Sequence, residues 1–170
     1  MSRVAAVEIR DATPDDWPEV WPIFSEVVRA GETYAFDPAM TSDEARALWM
    51  ERPPGHTVVA LVDDTVVGTA KMGPNRPAGG AHVGTASFMV GPAARGHGVG
   101  RALATYVVGW HRDHGYRGIQ FNAVVETNTG AVRLWKSLGF EIVGTVPDAF
   151  RHPTQGLVGL HVMYLPLEAS

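Results

Sequence analysis

The sequence predicts an α/β protein, a mixed sheet flanked by helices, and three observations carry this. Apolar runs such as His56–Val62, Val66–Met72 and Ala86–Val90 read as strands. Apolar residues at helical spacing, Val99, Leu103, Tyr106, Val107 and Trp110 among them, read as a helix with one buried face. Turn and cap signals separate the segments and give the order β-α-α-β-β-β-α-β-α-β-β.

Val7–Arg10 alternates and forms the first strand. Thr13 as N-cap, Pro14 at N1 and the acids Asp15 and Asp16 open a helix. Trp17, Val20, Trp21, Phe24, Val27 and Val28 give it a wide apolar stripe, and Pro22 should kink or delay it. A loop over Gly31–Pro38 carries Tyr34 and Phe36. Thr41-Ser42-Asp43-Glu44 is a capping box for a short helix holding Leu48 and Trp49. Asp63-Asp64 turns one strand back on the next as a hairpin, and residues 75–81 form a loop before the central strand. The helix over 99–114 stops at Gly115. Ile119–Val125 is the next strand. The helix over 128–138 closes at Gly139, with Phe140 folding back onto Trp135. Glu141–Val146 and Leu157–Leu165 are the last strands, joined by a loop over Pro147–Gly156.

At 170 residues and 45% hydrophobic content, residues 1–170 are expected to form one domain with a substantial core. The absence of cysteine excludes disulfides and Cys-based metal sites and suits a reducing compartment. A net charge of −4 argues against a non-specific nucleic-acid surface. No apolar stretch is long enough to span a membrane, and Met1–Arg10 lacks the apolar run of a signal peptide. The expectation is a cytoplasmic protein with no nucleic-acid or membrane partner.

Arg95-Gly96-His97-Gly98-Val99-Gly100-Arg101 joins the central strand to a helix. Such a turn presents unpaired N–H groups and the positive end of a helix dipole to an anion. Arg95 and Arg101 flank it and can add charge-assisted bonds to phosphate oxygens. A Walker A loop needs a Gly-Lys-Ser/Thr ending, which is missing. A dinucleotide fingerprint needs glycine at Arg101 and an acid near Gln120, and neither is present.

The run Arg95-Gly96-His97-Gly98-Val99-Gly100 matches the R/Q-x-x-G-x-G/A turn of the GNAT acyltransferase superfamily. Asn128-Thr129-Gly130-Ala131-Val132-Arg133-Leu134-Trp135-Lys136-Ser137-Leu138-Gly139-Phe140 resembles that family's N-x-x-A-x-x-L-[YW]-x-x-x-G-F motif. Phe88, Val90, Pro92 and Arg95 resemble its approach to the turn. The resemblance implies a mostly antiparallel sheet of about seven strands, acetyl-CoA as acyl donor, and a small-molecule amine as acceptor. It implies that main-chain groups of Phe88, Met89 and Val90 hold the pantetheine arm. An N–H near Val90 would polarise the acyl carbonyl. The pyrophosphate would rest on the amides of Gly96, His97, Gly98, Val99, Gly100 and Arg101. Asn128 would contact the arm, cap its helix, or do both. Trp135 stands where many relatives carry the tyrosine that protonates the CoA thiolate; its indole N–H is no such acid, and packing against the arm is the expected role.

For the acceptor, Asn122 is a polar residue in an apolar strand, expected to orient the amine or its carboxylate. This strand is similar to that of the azetidine-2-carboxylate (imino acid) N-acetyltransferases. Glu126 is the leading carboxylate for a base and Glu32 a second. Tyr34 and Phe36 are expected to line the acceptor pocket, and Arg151 to pair an acceptor carboxylate. No metal is expected: His111 and His114 lie at i, i+3 on what reads as an exposed helix end. With no cysteine to carry an acyl group, direct attack in a ternary complex is favoured. A protein or peptide acetyltransferase, a non-catalytic acyl-CoA-binding module, and a homodimer through the late strands stay open.

Overall fold

The computed structural model describes residues 5–168. Seven strands form one sheet in the order β1-β2-β3-β4-β5-β7-β6. They are β1 (Glu8–Asp11), β2 (His56–Val62), β3 (Thr65–Pro74), β4 (Val83–Val90), β5 (Gly118–Val125), β6 (Glu141–His152) and β7 (Gly156–Pro166). The helices are α1 (Trp17–Ala30), α2 (Ser42–Trp49), α3 (Val99–Asp113) and α4 (Thr129–Ser137). Among the described residues no helix is long and apolar enough to cross a membrane.

Every strand pair is antiparallel except β4 and β5, whose parallel pairing is confined to Val83 with Gly118 and Gly84 with Ile119. Beyond Gly84 the two strands separate. Both glycines at this contact are required by close packing: a Cβ on Gly84 would collide with the His111 ring, and one on Gly118 with the Tyr164 phenol.

On one face α1 and α2 bury Trp17, Val20, Phe24, Val28, Ala45 and Trp49 against Val59, Leu61 and Met89. Trp49 is fully buried, and its indole N–H donates to the Thr69 hydroxyl at 3.0 Å, leaving no orphaned donor. On the other face α3 buries Val99, Leu103 and Val107 against β2 and β3. Next to it α4 closes over β5 and β7 with Trp135, Phe121, Phe140 and Met163.

Local chemistry explains the ends. Thr41 caps α2 by accepting from Glu44 N–H, and Glu44 accepts from Thr41 N–H at 2.8 Å. Asp63 and Asp64 both adopt positive φ, 48° and 61°, as a two-residue hairpin requires. α4 ends in a Schellman motif: Phe140 N–H donates to Trp135 C=O and Gly139 N–H to Lys136 C=O, with Gly139 at φ 100°.

Three expectations need correction. The first helix does not begin at Pro14: Pro14–Asp16 form a 3-10 turn, regular helix begins at Trp17, and it continues through Pro22. The segment 147–152 is not a loop. It extends β6, interrupted by an irregularity between Val146 and Phe150, and pairs Phe150, Arg151 and His152 with Val158, Leu157 and Gly156. Pro147 is tolerated because β6 is an edge strand. His111 is fully buried rather than exposed, and its Nδ1 lies 2.8 Å from the Val107 carbonyl oxygen. Desolvation pushes its pKa down and keeps the imidazole neutral, with Nδ1–H as donor.

Asp16 ties β1 to the start of α1. Its carboxylate accepts two bonds from the Arg10 guanidinium at 2.8 Å and one from Thr13 N–H at 2.7 Å. These bonds, Arg10 first, lower its pKa to about 2. Asp16→Ala should therefore lower stability by about 1–3 kcal/mol at neutral pH in urea denaturation. Because the folded pKa is depressed from 3.8, the difference should be complete above that value and vanish as pH falls to about 2.

Candidate active site

The separation of β4 from β5 opens a cleft of about 780 Å³. Along β3, β4 presents its main-chain groups alternately: Gly91 N–H donates to Val67 C=O, and Met89 and Ser87 pair with Thr69 and Lys71 in the same phase. Ala86, Phe88 and Val90 consequently turn their N–H and C=O groups towards the gap. Met89 does not; its main chain faces β3 and its side chain is buried under α1 and α2.

At one end of the cleft lies the glycine-rich turn. Gly96 and Gly98 adopt φ 80° and 79°, in the left-handed region, with nothing within 4 Å of where a Cβ would stand. The first main-chain bond into α3 runs from Ala102 N–H to Gly98 C=O, so the N–H groups of Val99, Gly100 and Arg101 emerge from the helix end. This concave set of amides fits a phosphate. Arg95, Gly96, Gly98, Val99 and Gly100 line the cleft. His97 and Arg101 are not part of its wall; the Arg101 guanidinium donates to the Ser137 hydroxyl at 3.1 Å.

The α4 side is aromatic. Trp135 is 7% exposed, with its ring 4.8 Å from Phe88 and 4.7 Å from Phe121. Asn128 lines the cleft and also caps α4, its Oδ1 accepting from Ala131 N–H at 3.4 Å.

The other wall comes from the loop after α1. Tyr34 and Phe36 stack at 5.4 Å and 5°, and Phe36 stacks on Phe24 at 5.8 Å. The Tyr34 hydroxyl donates to Phe88 C=O at 2.7 Å and accepts from Phe88 N–H at 2.9 Å. Glu32 is the one carboxylate among the lining residues, and Arg95 the one guanidinium.

Asn122 also lines the cleft, though exposed rather than buried. It lies in a bulge where Asn122 and Ala123 oppose the single Val162 of β7, and such bulges re-aim side chains. Its amide exchanges bonds with Asn75, donating at 2.6 Å and accepting at 3.3 Å, and also accepts from Gln120 at 2.9 Å. Arg76 holds Asn75 in turn, donating to its C=O at 3.0 Å. Asn75 and Arg76 gave no signal in the sequence, because they lie in a loop far from Asn122 along the chain.

Two expected acceptor residues fall elsewhere. Glu126 is outside the cleft wall: its Oε1 accepts from Gly159 N–H at 2.6 Å, while Glu126 N–H donates to Gly159 C=O. Arg151 is exposed on β6 and is not a lining residue; its neighbour Phe150 is.

The profile of the Acetyltransferase (GNAT) family matches residues 8–140. The chain belongs to the GNAT acetyltransferase family. A GCN5-related N-acetyltransferase from Kribbella flavida superposes with a TM-score of 0.93 at 59% identity, over 95% of this chain and 98% of that one. A ribosomal-protein-alanine N-acetyltransferase from Brucella melitensis superposes at 0.84 with 27% identity, over 94% and 99%. The Salmonella typhimurium acetyltransferase yncA, solved with its cofactor acetyl-CoA, superposes at 0.80 with 25% identity, over 97% and 96%. Among curated relatives, N-acetyltransferase aca1 of Schizosaccharomyces pombe is 29% identical over 73% of this chain. Protein SPT10 of Saccharomyces cerevisiae is 31% identical over 49%. The chain spans 66% of the first and 13% of the second.

In this GNAT chain the Glu126 carboxylate fastens the end of β5 to β7. Glu126→Ala should lower stability by about 1 kcal/mol in urea denaturation and leave kcat unchanged. A large fall in kcat without a loss of stability would return Glu126 to the reaction.

Proposed function

We propose that the protein is an acetyl-CoA-dependent N-acetyltransferase acting on a small amine, an amino or imino acid, by direct attack in a ternary complex. The observation that carries this is the open edge of β4, with the glycine-rich turn at one end and an aromatic-walled cleft alongside. Bound acetyl-CoA supplies an activated acetyl thioester. The amides of Val99, Gly100 and Arg101, with Arg95, hold its pyrophosphate. A gap-facing main-chain N–H of β4 near Val90 would donate to the acyl carbonyl and stabilise the negative charge that develops there. Trp135 packs against the arm and excludes water.

The acceptor approaches from the side of Tyr34, Phe36 and Asn122. Its amine must be neutral to attack, and Glu32 on the cleft wall is the carboxylate available to take the proton, directly or through a water; as the nitrogen bonds the acetyl carbon the C–S bond breaks, and the leaving CoA thiolate is protonated by water or by the amine's own proton. Asn122, held by Asn75 and Gln120, offers a fixed amide to an acceptor carboxylate. The stacked wall of Tyr34 and Phe36, backed by Phe24 in the core, favours a compact acceptor over an extended peptide. A cytoplasmic setting, where acetyl-CoA and free amino acids coexist, is part of this reading.

Thiol release from acetyl-CoA across amino acids, imino acids, polyamines, aminoglycosides and short peptides tests the proposal. Turnover is expected with amino or imino acids, with Asn122→Ala raising the acceptor KM on the order of tenfold. Turnover confined to peptides would move the assignment to a protein acetyltransferase. Tight acetyl-CoA binding with no turnover on any amine would leave a non-catalytic acyl-CoA-binding module.

A further inference from the structure

The hydrogen-bonding capacity of Asn122 is nearly filled by its neighbours, and what remains decides which acceptor groups it can meet. Ile119 and Phe121 of β5 turn into the α4 cluster, so Gln120 and Asn122 turn to the opposite face, that of α1 and α2. Lys71 of β3 reaches the same face, donating to Leu48 C=O of α2 at 3.0 Å, and Asn75 follows it at two-residue spacing. The Asn75 main chain is held there, its N–H donating to Val83 C=O at 2.8 Å. Tyr34 and Phe36 pack against the cluster beneath that face.

Arg76 fixes the direction of the whole chain of bonds. A guanidinium carries donors only. Its Nη1 donates to Asn75 C=O at 3.0 Å and to Asn75 Oδ1 at 3.4 Å, so the Asn75 side-chain atom beside it is the oxygen. Asn122 must then meet that oxygen with its Nδ2, at 2.6 Å. Asn122 Oδ1 consequently accepts from Gln120 Nε2 at 2.9 Å and from Asn75 Nδ2 at 3.3 Å, which fills both lone pairs. Of the two hydrogens on Nδ2, one goes to Asn75. Asn122 is left with one N–H for a ligand and no acceptor.

We propose that Asn75, oriented by Arg76, is a positioning residue that makes Asn122 a donor-only contact and so selects acceptors carrying a carboxylate beside the reacting amine. This rests on the acetyl-transfer reading above. An N–H fixed in this way bonds a carboxylate oxygen, and such charge-assisted bonds are about twice as strong as neutral ones. It offers nothing to the second ammonium of a polyamine, which carries donors only. Without Asn75 the Asn122 amide is free to turn its oxygen outward, and the selection is lost.

The test compares each amino or imino acid that turns over with the amine left when its carboxylate is removed, such as proline with pyrrolidine and alanine with ethylamine. The wild type should prefer the acid. Asn75→Ala should raise KM for the acid on the order of tenfold, the size of one hydrogen bond to a charged group, and leave KM for the amine nearly unchanged. The kcat for the acid and the calorimetric affinity for acetyl-CoA should stay as they are. Arg76→Ala, a change at an exposed side chain, should shift KM the same way by a smaller factor. Asn75→Ala combined with Asn122→Ala should be no worse than Asn122→Ala alone, since the two act through one contact. Equal rises in KM for acid and amine, additive losses in the double variant, or a fall in kcat that tracks a fall in melting temperature each overturn the positioning role. A wild type that takes the amine as readily as the acid overturns the carboxylate selection and leaves acetyl transfer intact. No turnover on any amine overturns both.

Discussion

The parallel contact between β4 and β5 lasts for two residue pairs and then ends, and the rest of the site depends on that ending. A sheet interior normally pairs every main-chain N–H and C=O, because an unpaired buried group costs as much as a lost hydrogen bond. Here a central strand keeps an open edge in the middle of a seven-stranded sheet. The two strands are clamped at the contact by glycines that admit His111 from α3 and Tyr164 from β7 at close range. Past that clamp, α4 and the loop after α1 occupy the two sides of the gap and keep it from closing.

The open edge is stabilised in different ways along its length. Tyr34 satisfies Phe88 from the α1 side, while Phe88 and Trp135 shield the opening from the α4 side with apolar surface. The glycine-rich turn extends the same pattern beyond the strand, where the start of α3 adds free amides. Donors that would be a liability in a closed core stand here in one continuous strip, from the open strand edge to the helix end. The β5 side of the cleft is built differently, from side chains: a bulge in β5 aims Asn122 at a partner from the β3–β4 loop.

Elements with local causes were legible in the chain. The capping box at Thr41, the Asp63-Asp64 turn, the Gly115 and Gly139 stops and the glycine-rich turn all act within a few residues, and each stands where its residues place it. The extent of β6 was not legible, because Pro147, Asp148 and Pro153 are turn formers, yet pairing with β7 holds Phe150–His152 extended. His111 sits in the last turn of a helix, which reads as surface. Tertiary packing over Gly84 buries it.

The sequence by itself determined the element order, the glycine-rich turn and the family, because these depend on short-range backbone preferences and fixed spacings. Only the tertiary structure decided which polar side chains meet. It sent Glu126 to Gly159, left Arg151 outside, and brought Asn75 to Asn122 and Tyr34 to Phe88. Those contacts join residues separated by 33 to 54 positions. Such contacts depend on strand register, on where β4 and β5 part, and on how one bulge turns a side chain, and no local pattern encodes any of these.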